Sequence, residues 1–203
     1  MARRAETLEL AVLGLLHDTP MHGYEIRKEL IGLLGWGRVL SYGTLYPCLK
    51  GLVRAGHIEA DEDPSVEVRG RRNRIVYHLT AAGKEHFTHV MADSGPSTWD
   101  DEDFGVRFAF FARTDTSTRV RILEGRRSRL EERLENVRAA ARRGRQRADR
   151  YTRELQRHGL ESVEREVRWL SELIDRERSG QLDDPDERDE HDDPSAAPPT
   201  RSR

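Results

Sequence analysis

The chain has 203 residues, 35% of them hydrophobic and 35% charged, a balance that supports a modest core and leaves much of the length extended or facing solvent. Its charges nearly cancel to a net −2, so no global cationic field announces a polyanionic partner and charge has to be read locally. Cys48 is the only cysteine, which excludes an intramolecular disulfide framework and a cysteine-rich zinc site and predicts a reducing, cytoplasmic setting; no apolar run approaches the roughly 20 residues of a membrane span.

Leu8, Ala11, Val12, Leu15 and Leu16 recur at helical spacing behind Thr7, which predicts a short, mostly buried helix over 8–17 capped by that threonine. Thr19 and Pro20 read as the N-cap and first residue of a second helix with Ile26, Leu30, Leu33 and Leu34 on its apolar face. Gly35 and Gly37 around Trp36 make a turn, and a third helix follows Ser41 and stops at Gly56. The period then changes. "HIEA" at 57–60 and "RIVYHLT" at 74–80 are short β-type segments, joined by an acidic, then arginine-rich loop from Asp61 to Asn73: a hairpin with a long tip. Thr80 caps a fourth helix running to about Ala92, and "DSGPS" at 93–97 marks a domain boundary.

Beyond it, Ser97 reads as a cap with Asp100 three places on, and Trp99, Phe104, Phe108, Phe110 and Phe111 fall on one helical stretch. Leu123, Leu130, Leu134, Val137, Ala141, Gly144, Ala148, Tyr151 and Leu155 follow alternating three- and four-residue steps, a heptad-like stripe with Arg127 at one seam position. Gly159 interrupts it, and Val163, Val167, Leu170 and Ile174 mark a further amphipathic helix that folds back or packs on a partner. From Ser179 the chain is rich in Asp, Glu, Pro and Ser with almost no apolar residues, and is expected to stay disordered.

The third helix raises a question, because Gly43 and Pro47 are poor helix formers. At 100° per residue, Leu45, Leu49, Leu52 and Tyr42 share one side, the expected core side, while Gly43, Pro47, Lys50 and Arg54 lie opposite, flanked by Thr44 and Tyr46. A missing amide is harmless only in a first turn, so Pro47 places the regular helix start nearer Gly43 or Thr44. Such an outward face is small at its entry and cationic further along. That suits a helix entering a DNA major groove, where bulk would hold the backbone away. Lys50 is suited to a phosphate or a guanine, and an ordinary kinked surface helix would present the same residues. The hairpin argues for DNA: Arg69, Arg71, Arg72 and Arg74 crowd its tip and second strand, suited to backbone phosphates or a narrow minor groove. Beside a helix-turn-helix pattern, this hairpin is a wing.

"MHGYEI" at 21–26, "SYGTLYPCLKGLVRAGHI" at 41–58 and "GRRNRIVYHLTAAGK" at 70–84, followed by long helices, resemble the PadR family of transcriptional regulators. The likeness spans nearly all of residues 7–92, and the C-terminal half is similar mainly in its helical architecture. The resemblance implies a mainly α fold with a small β-hairpin wing: a winged helix-turn-helix domain at 1–93 and a long-helix dimerisation and effector domain at 94–178; the arginine-rich C-terminal region and the acidic tail at 179–203 depart from the family. It implies a homodimer that binds a palindromic operator on double-stranded DNA, usually as a repressor that a small-molecule effector can release. The DNA-binding residues would be Ser41, Tyr42, Gly43, Thr44, Tyr46, Pro47 and Lys50, with Arg71, Arg72 and Arg74 of the wing.

Other constellations carry less. His86 and His89, three apart near Glu85 and Asp93, have helical metal-ligand spacing but no second ligand pair, so no metal or other cofactor is expected. No nucleophile elbow or phosphate loop is present, and no catalytic residue is assigned. Trp99, Phe104, Phe108 and Phe111 favour dimer core, with an aromatic-effector pocket as the second reading. Trp36 and Trp169 share that ambiguity, whereas Cys48 falls on the buried side of its helix, as a packing residue. Arginines outnumber acids between Arg113 and Arg153, and the acidic stretch Asp183 to Asp193 is expected to screen such basic surfaces from non-specific DNA. A winged-helix adaptor that binds a protein instead of DNA is the alternative from another class.

Overall fold

The computed structural model describes residues 2–35, 41–62, 75–144 and 149–182. Residues 8–16, LELAVLGLL, hold a single charged side chain, and a helix apolar on nearly every side has to be enclosed by others. Accordingly Leu8, Leu10, Ala11, Val12, Leu13, Leu15 and Leu16 of α1 (Ala2–Leu16) are all buried. Around it pack α2 (Gly23–Leu34), α3 (Tyr42–Arg54), α4 (Ala81–Ala92) and α5 (Asp101–Ala109). The helix starts earlier than its apolar pattern suggested, because Ala2 to Glu6 are good helix formers. Thr7 is therefore not its cap: it is buried inside the helix, and its hydroxyl donates to Asp103 Oδ1 at 3.1 Å.

Thr19 and Pro20 do not open the second helix. Met21–His22 is a short strand, β1, paired antiparallel with β3 (Ile75–Leu79) through Met21↔Tyr77 and His22↔Val76. His22 is then the extended N-cap of α2, and Glu25 reaches back to accept its amide at 2.8 Å. On its other edge β3 pairs with β2 (Ile58–Glu62), from Ile58↔Leu79 to Glu62↔Ile75, so the sheet order is β1-β3-β2. Ile26 and Leu30 enter the core as the apolar pattern required, whereas Leu33 is half exposed.

Thr80 caps α4 and also fastens it to the turn that follows α3. Its Oγ1 accepts the Gly83 amide at 3.0 Å and donates to the Gly56 carbonyl at 2.7 Å. Gly83 is required here, since a methyl group would overlap the His57 carbonyl oxygen and come within 2.7 Å of Leu79 Cδ1.

Ser97 is not the cap of the next helix. Residues Pro96–Trp99 form a 3₁₀ turn, Asp100 is the N-cap of α5, and Phe111–Arg113 form a second 3₁₀ turn, so the aromatic residues are split over three short elements. That split lets one segment face two cores. Val106 and Phe110 join the core around α1, while Phe104 and Phe111 join Ile122, Leu123 and Leu130 of α6 (Thr116–Gly144) and Leu170, Leu173 and Ile174 of α7 (Arg150–Ser179). The long heptad-like stripe is not one seam: α6 ends at Gly144 and α7 folds back along it, antiparallel, as the pairs Arg119–Glu177, Arg126–Glu166 and Arg138–Glu164 require. Gly159 does not interrupt α7, where an exposed glycine costs only about 1 kcal/mol against alanine. No helix among the described residues is long and apolar enough to cross a membrane.

A buried ion pair ties the start of α6 to the end of α7. Arg119 Nε donates to Glu177 Oε2 at 2.8 Å and Nη1 to the Thr114 carbonyl at 3.0 Å, with both side chains under a tenth exposed. Removing one partner leaves an uncompensated buried charge, so Glu177→Ala is expected to cost about 3 kcal/mol in urea unfolding. The double replacement Arg119→Met with Glu177→Leu should recover most of that loss.

Candidate nucleic-acid interface

Leu45, Leu49 and Leu52 of α3 are fully buried against the core around α1, and this anchoring decides what the helix presents outward. Ser41, Tyr42, Gly43, Thr44, Tyr46, Pro47 and Lys50 are all exposed, so the structure brings the seven reading residues onto one continuous surface. Tyr42 is the correction: expected on the core side with the leucines, it is 49% exposed. At the first helical position it projects off the end of the apolar row, outside the leucine core.

The helix also starts before Gly43. The Ser41 carbonyl accepts the amides of Thr44 and Leu45, each at 3.1 Å, so the first turn is closed from Tyr42 and Pro47 lies inside the helix rather than in its entry turn. Proline has no amide to donate to the Gly43 carbonyl, and that acceptor is left on the exposed face. Gly43 is not demanded by the fold: its φ is ordinary, and the nearest side-chain atom to an added Cβ would be Ser41 Oγ at 3.5 Å. What the glycine does is keep the face low. Ser41 Oγ and Thr44 Oγ1 lie 2.9 Å apart, a hydroxyl pair at the helix entry.

Two residues of α2 extend this surface, and the sequence reading assigned neither a role. The Arg27 guanidinium lies over the Tyr42 ring, 4.8 Å from its centre, and Tyr42 stacks with Tyr46 at 5.9 Å and 22°. Tyr24, half exposed, stacks with His22 at 5.7 Å, and His22 Nδ1 lies 3.1 Å from the Ile75 carbonyl at the base of the wing. The signal was present in "MHGYEI" and the following arginine, where Tyr24, Arg27 and Lys28 fall on the polar side of α2 at helical spacing. Arg71, Arg72 and Arg74, with Arg69, lie outside the described residues, as do Trp36 and the acidic stretch from Asp183.

Residues 12–89, the span from α1 to α4, match the model of the transcriptional regulator PadR-like family. The match covers the N-terminal part of the chain and not its long C-terminal helices. Among solved structures, the chain is similar to Bacillus subtilis PadR in complex with operator DNA, at 20% identity over 84% of this chain and 98% of that one, with a TM-score of 0.40. The same protein in complex with p-coumaric acid matches at 20% identity over 85% and 99%, TM-score 0.37. The PadR-like transcriptional regulator BC1756 from Bacillus cereus matches at 21% over 85% and 99%, TM-score 0.37. No curated protein matches the sequence.

Beyond residue 89, three of the four aromatic residues singled out from the sequence, Phe104, Phe108 and Phe111, come together, with Trp169 added by α7. Phe104 and Phe111 are buried, while Phe108 and Trp169 are each a little over a third exposed. Phe104 stacks with Phe108 at 5.7 Å, and Trp169 meets both edge-on at 6.4 and 5.4 Å. Trp99 sits apart, its indole against Gly125, where a larger residue would not fit. A cleft of about 280 Å³ lies elsewhere, between α1, α4 and α5, with Glu6, Leu10, Leu13, His86 and Arg107 in its walls. His86 does not pair with His89: it stacks on His57 at 4.2 Å, and burial, then the neighbouring His57 and His89, hold its pKa below the ordinary value.

Cys48 lies on the inner flank of the reading helix, packed against the core. Burial first, and then the nearby Glu9 carboxylate, push its thiol up to about 12, so thiolate is scarce at neutral pH. Its reaction with a disulfide reagent at pH 8 is expected to be slower than that of free cysteine by orders of magnitude, and to reach the free rate in 8 M urea. A fast native reaction would mean the flank is open.

Proposed function

We propose that this protein is a homodimeric, cytoplasmic transcriptional repressor that binds a roughly palindromic operator and is released by an effector. One observation carries the reading: the region that matches the PadR-like family holds a helix whose buried side is three leucines and whose exposed side is hydroxyls, a glycine, a proline and a lysine. A low, polar face of that kind can approach base edges, with the hydroxyls of Ser41, Thr44, Tyr42 and Tyr46 as donors and acceptors and Lys50 reaching a phosphate or a guanine. The wing arginines Arg71, Arg72 and Arg74 add backbone or minor-groove contacts. Residues 1–93 form the reading unit, 94–178 the dimerisation and effector unit, and 179–203 the acidic tail.

Support for pairing comes from large apolar side chains of α7 that stay at the surface. Tyr151 and Leu155 are 82% and 72% exposed and share a helix face with Trp169, which sits beside the exposed Phe108. A second copy seated there would cover them, and the aromatic group of Phe104, Phe108 and Phe111 would border any apolar effector held between subunits. An effector bound there acts by favouring one separation of the two reading helices over another.

Selection of bound genomic fragments should return a sequence with two half-sites about 34 Å, or a multiple of that, apart. Lys50→Ala is expected to weaken operator binding about tenfold and, if the contact is to phosphate, to flatten the salt dependence by roughly 0.9 in log–log slope. A folded protein with no sequence preference in that selection would replace the repressor by a protein-binding adaptor.

A further inference from the structure

Arg27 and Gly23 are four residues apart on α2 and meet the two exposed tyrosines of α3 in turn. Arg27 lies over Tyr42, and Gly23 leaves room for Tyr46, whose Cε1 would lie 3.4 Å from a Cβ added there. The resulting stack of Arg27, Tyr42 and Tyr46 stands on the outer face of the reading helix, with both rings more than two-fifths exposed. It buries too little apolar surface to matter greatly for the core. Its effect is on order: an exposed tyrosine at the first position of a helix samples several side-chain rotamers, and a planar guanidinium against its ring restricts them.

We infer that Arg27 is a positioning residue for sequence reading: it holds Tyr42, and through it Tyr46, in the orientation offered to the DNA. The inference rests on the DNA-binding reading above and adds a division of labour to it. Lys50 supplies charge, while Arg27 supplies the geometry on which discrimination between sequences depends. A residue that acts through Tyr42 has a signature different from that of an arginine bound to phosphate. Its loss reduces binding to the selected sequence far more than binding to random DNA and leaves the salt slope unchanged. A phosphate contact weakens both together and lowers the slope by about one.

The test uses the full-length protein, the operator obtained by selection and a random duplex of equal length, each titrated across a potassium chloride series. Arg27→Met is expected to weaken operator binding about tenfold and random-DNA binding less than twofold, at constant slope. The double variant Arg27→Met, Tyr42→Leu is expected to bind no more weakly than Tyr42→Leu alone, because the two residues act as one unit. Arg27→Lys, which keeps the charge but not the planar group, should regain less than half of the lost discrimination; it also serves as the reading should Arg27→Met unfold. Equal loss on both duplexes with a shallower slope, additive losses in the double variant, or unchanged operator binding would each overturn the positioning role. A wild-type protein with no preferred sequence would instead sink the DNA-binding reading beneath it.

Discussion

Three leucines fix how this molecule faces its surroundings. Leu45, Leu49 and Leu52 lock α3 into the core around α1, and at about 2 kcal/mol for each buried side chain no other term in that short helix can rotate it. Once that side is committed, the opposite side is committed too. Glycine, proline, hydroxyls and lysine are then displayed together. The weak helix formers persist because packing, rather than intrinsic propensity, holds the helix. The outward face can therefore be composed for contact instead of for stability.

The second constraint lies at α5, where charge is taken inside to join two cores. Arg107 donates to the Val90 and Asp93 carbonyls at 2.7 and 3.0 Å, at the C-terminal end of α4, and is paired there with Asp103. Arg126 lies 4.3 Å from the centre of the Phe104 ring, donates to the Trp99 carbonyl and Asp101, and is paired with Glu166 of α7. All three Arg126 nitrogens donate hydrogen bonds, as do Arg107 Nε and Nη1, and such engagement reduces the penalty for burying a guanidinium. Such bonds are directional, so they hold the long helices at a defined angle to the helices around α1.

Much of the reading unit was legible in the residues themselves. The order of four helices and a hairpin, the Thr80 cap, the stop at Gly56 and the buried leucines of α3 all follow from short-range pattern. The misjudged positions share a cause. Met21 and His22 leave the helical pattern because β3, some 55 residues later, pairs with them. Tyr42 sits in phase with the leucines, yet it stays half exposed outside the core, with the Arg27 guanidinium of α2 over its ring. The stripe from Leu123 to Leu155 has coiled-coil steps, but its continuation is taken over by the return of α7 along α6. In each case local period was right and the partner was not readable.

By itself the sequence determined which helices are amphipathic, which face of α3 is apolar, that the arginines cluster in the hairpin, and through those motifs the PadR-like character of residues 12–89. These are properties of spacing along one chain, and spacing is what a sequence records. Only the tertiary structure decided that α2 lends Arg27 to the reading helix, that one short helix serves two cores, and that Phe108, Trp169, Tyr151 and Leu155 stay at the surface. Those outcomes depend on which elements meet and at what angle. That choice is made by packing between residues far apart in the chain, so no local pattern contains it.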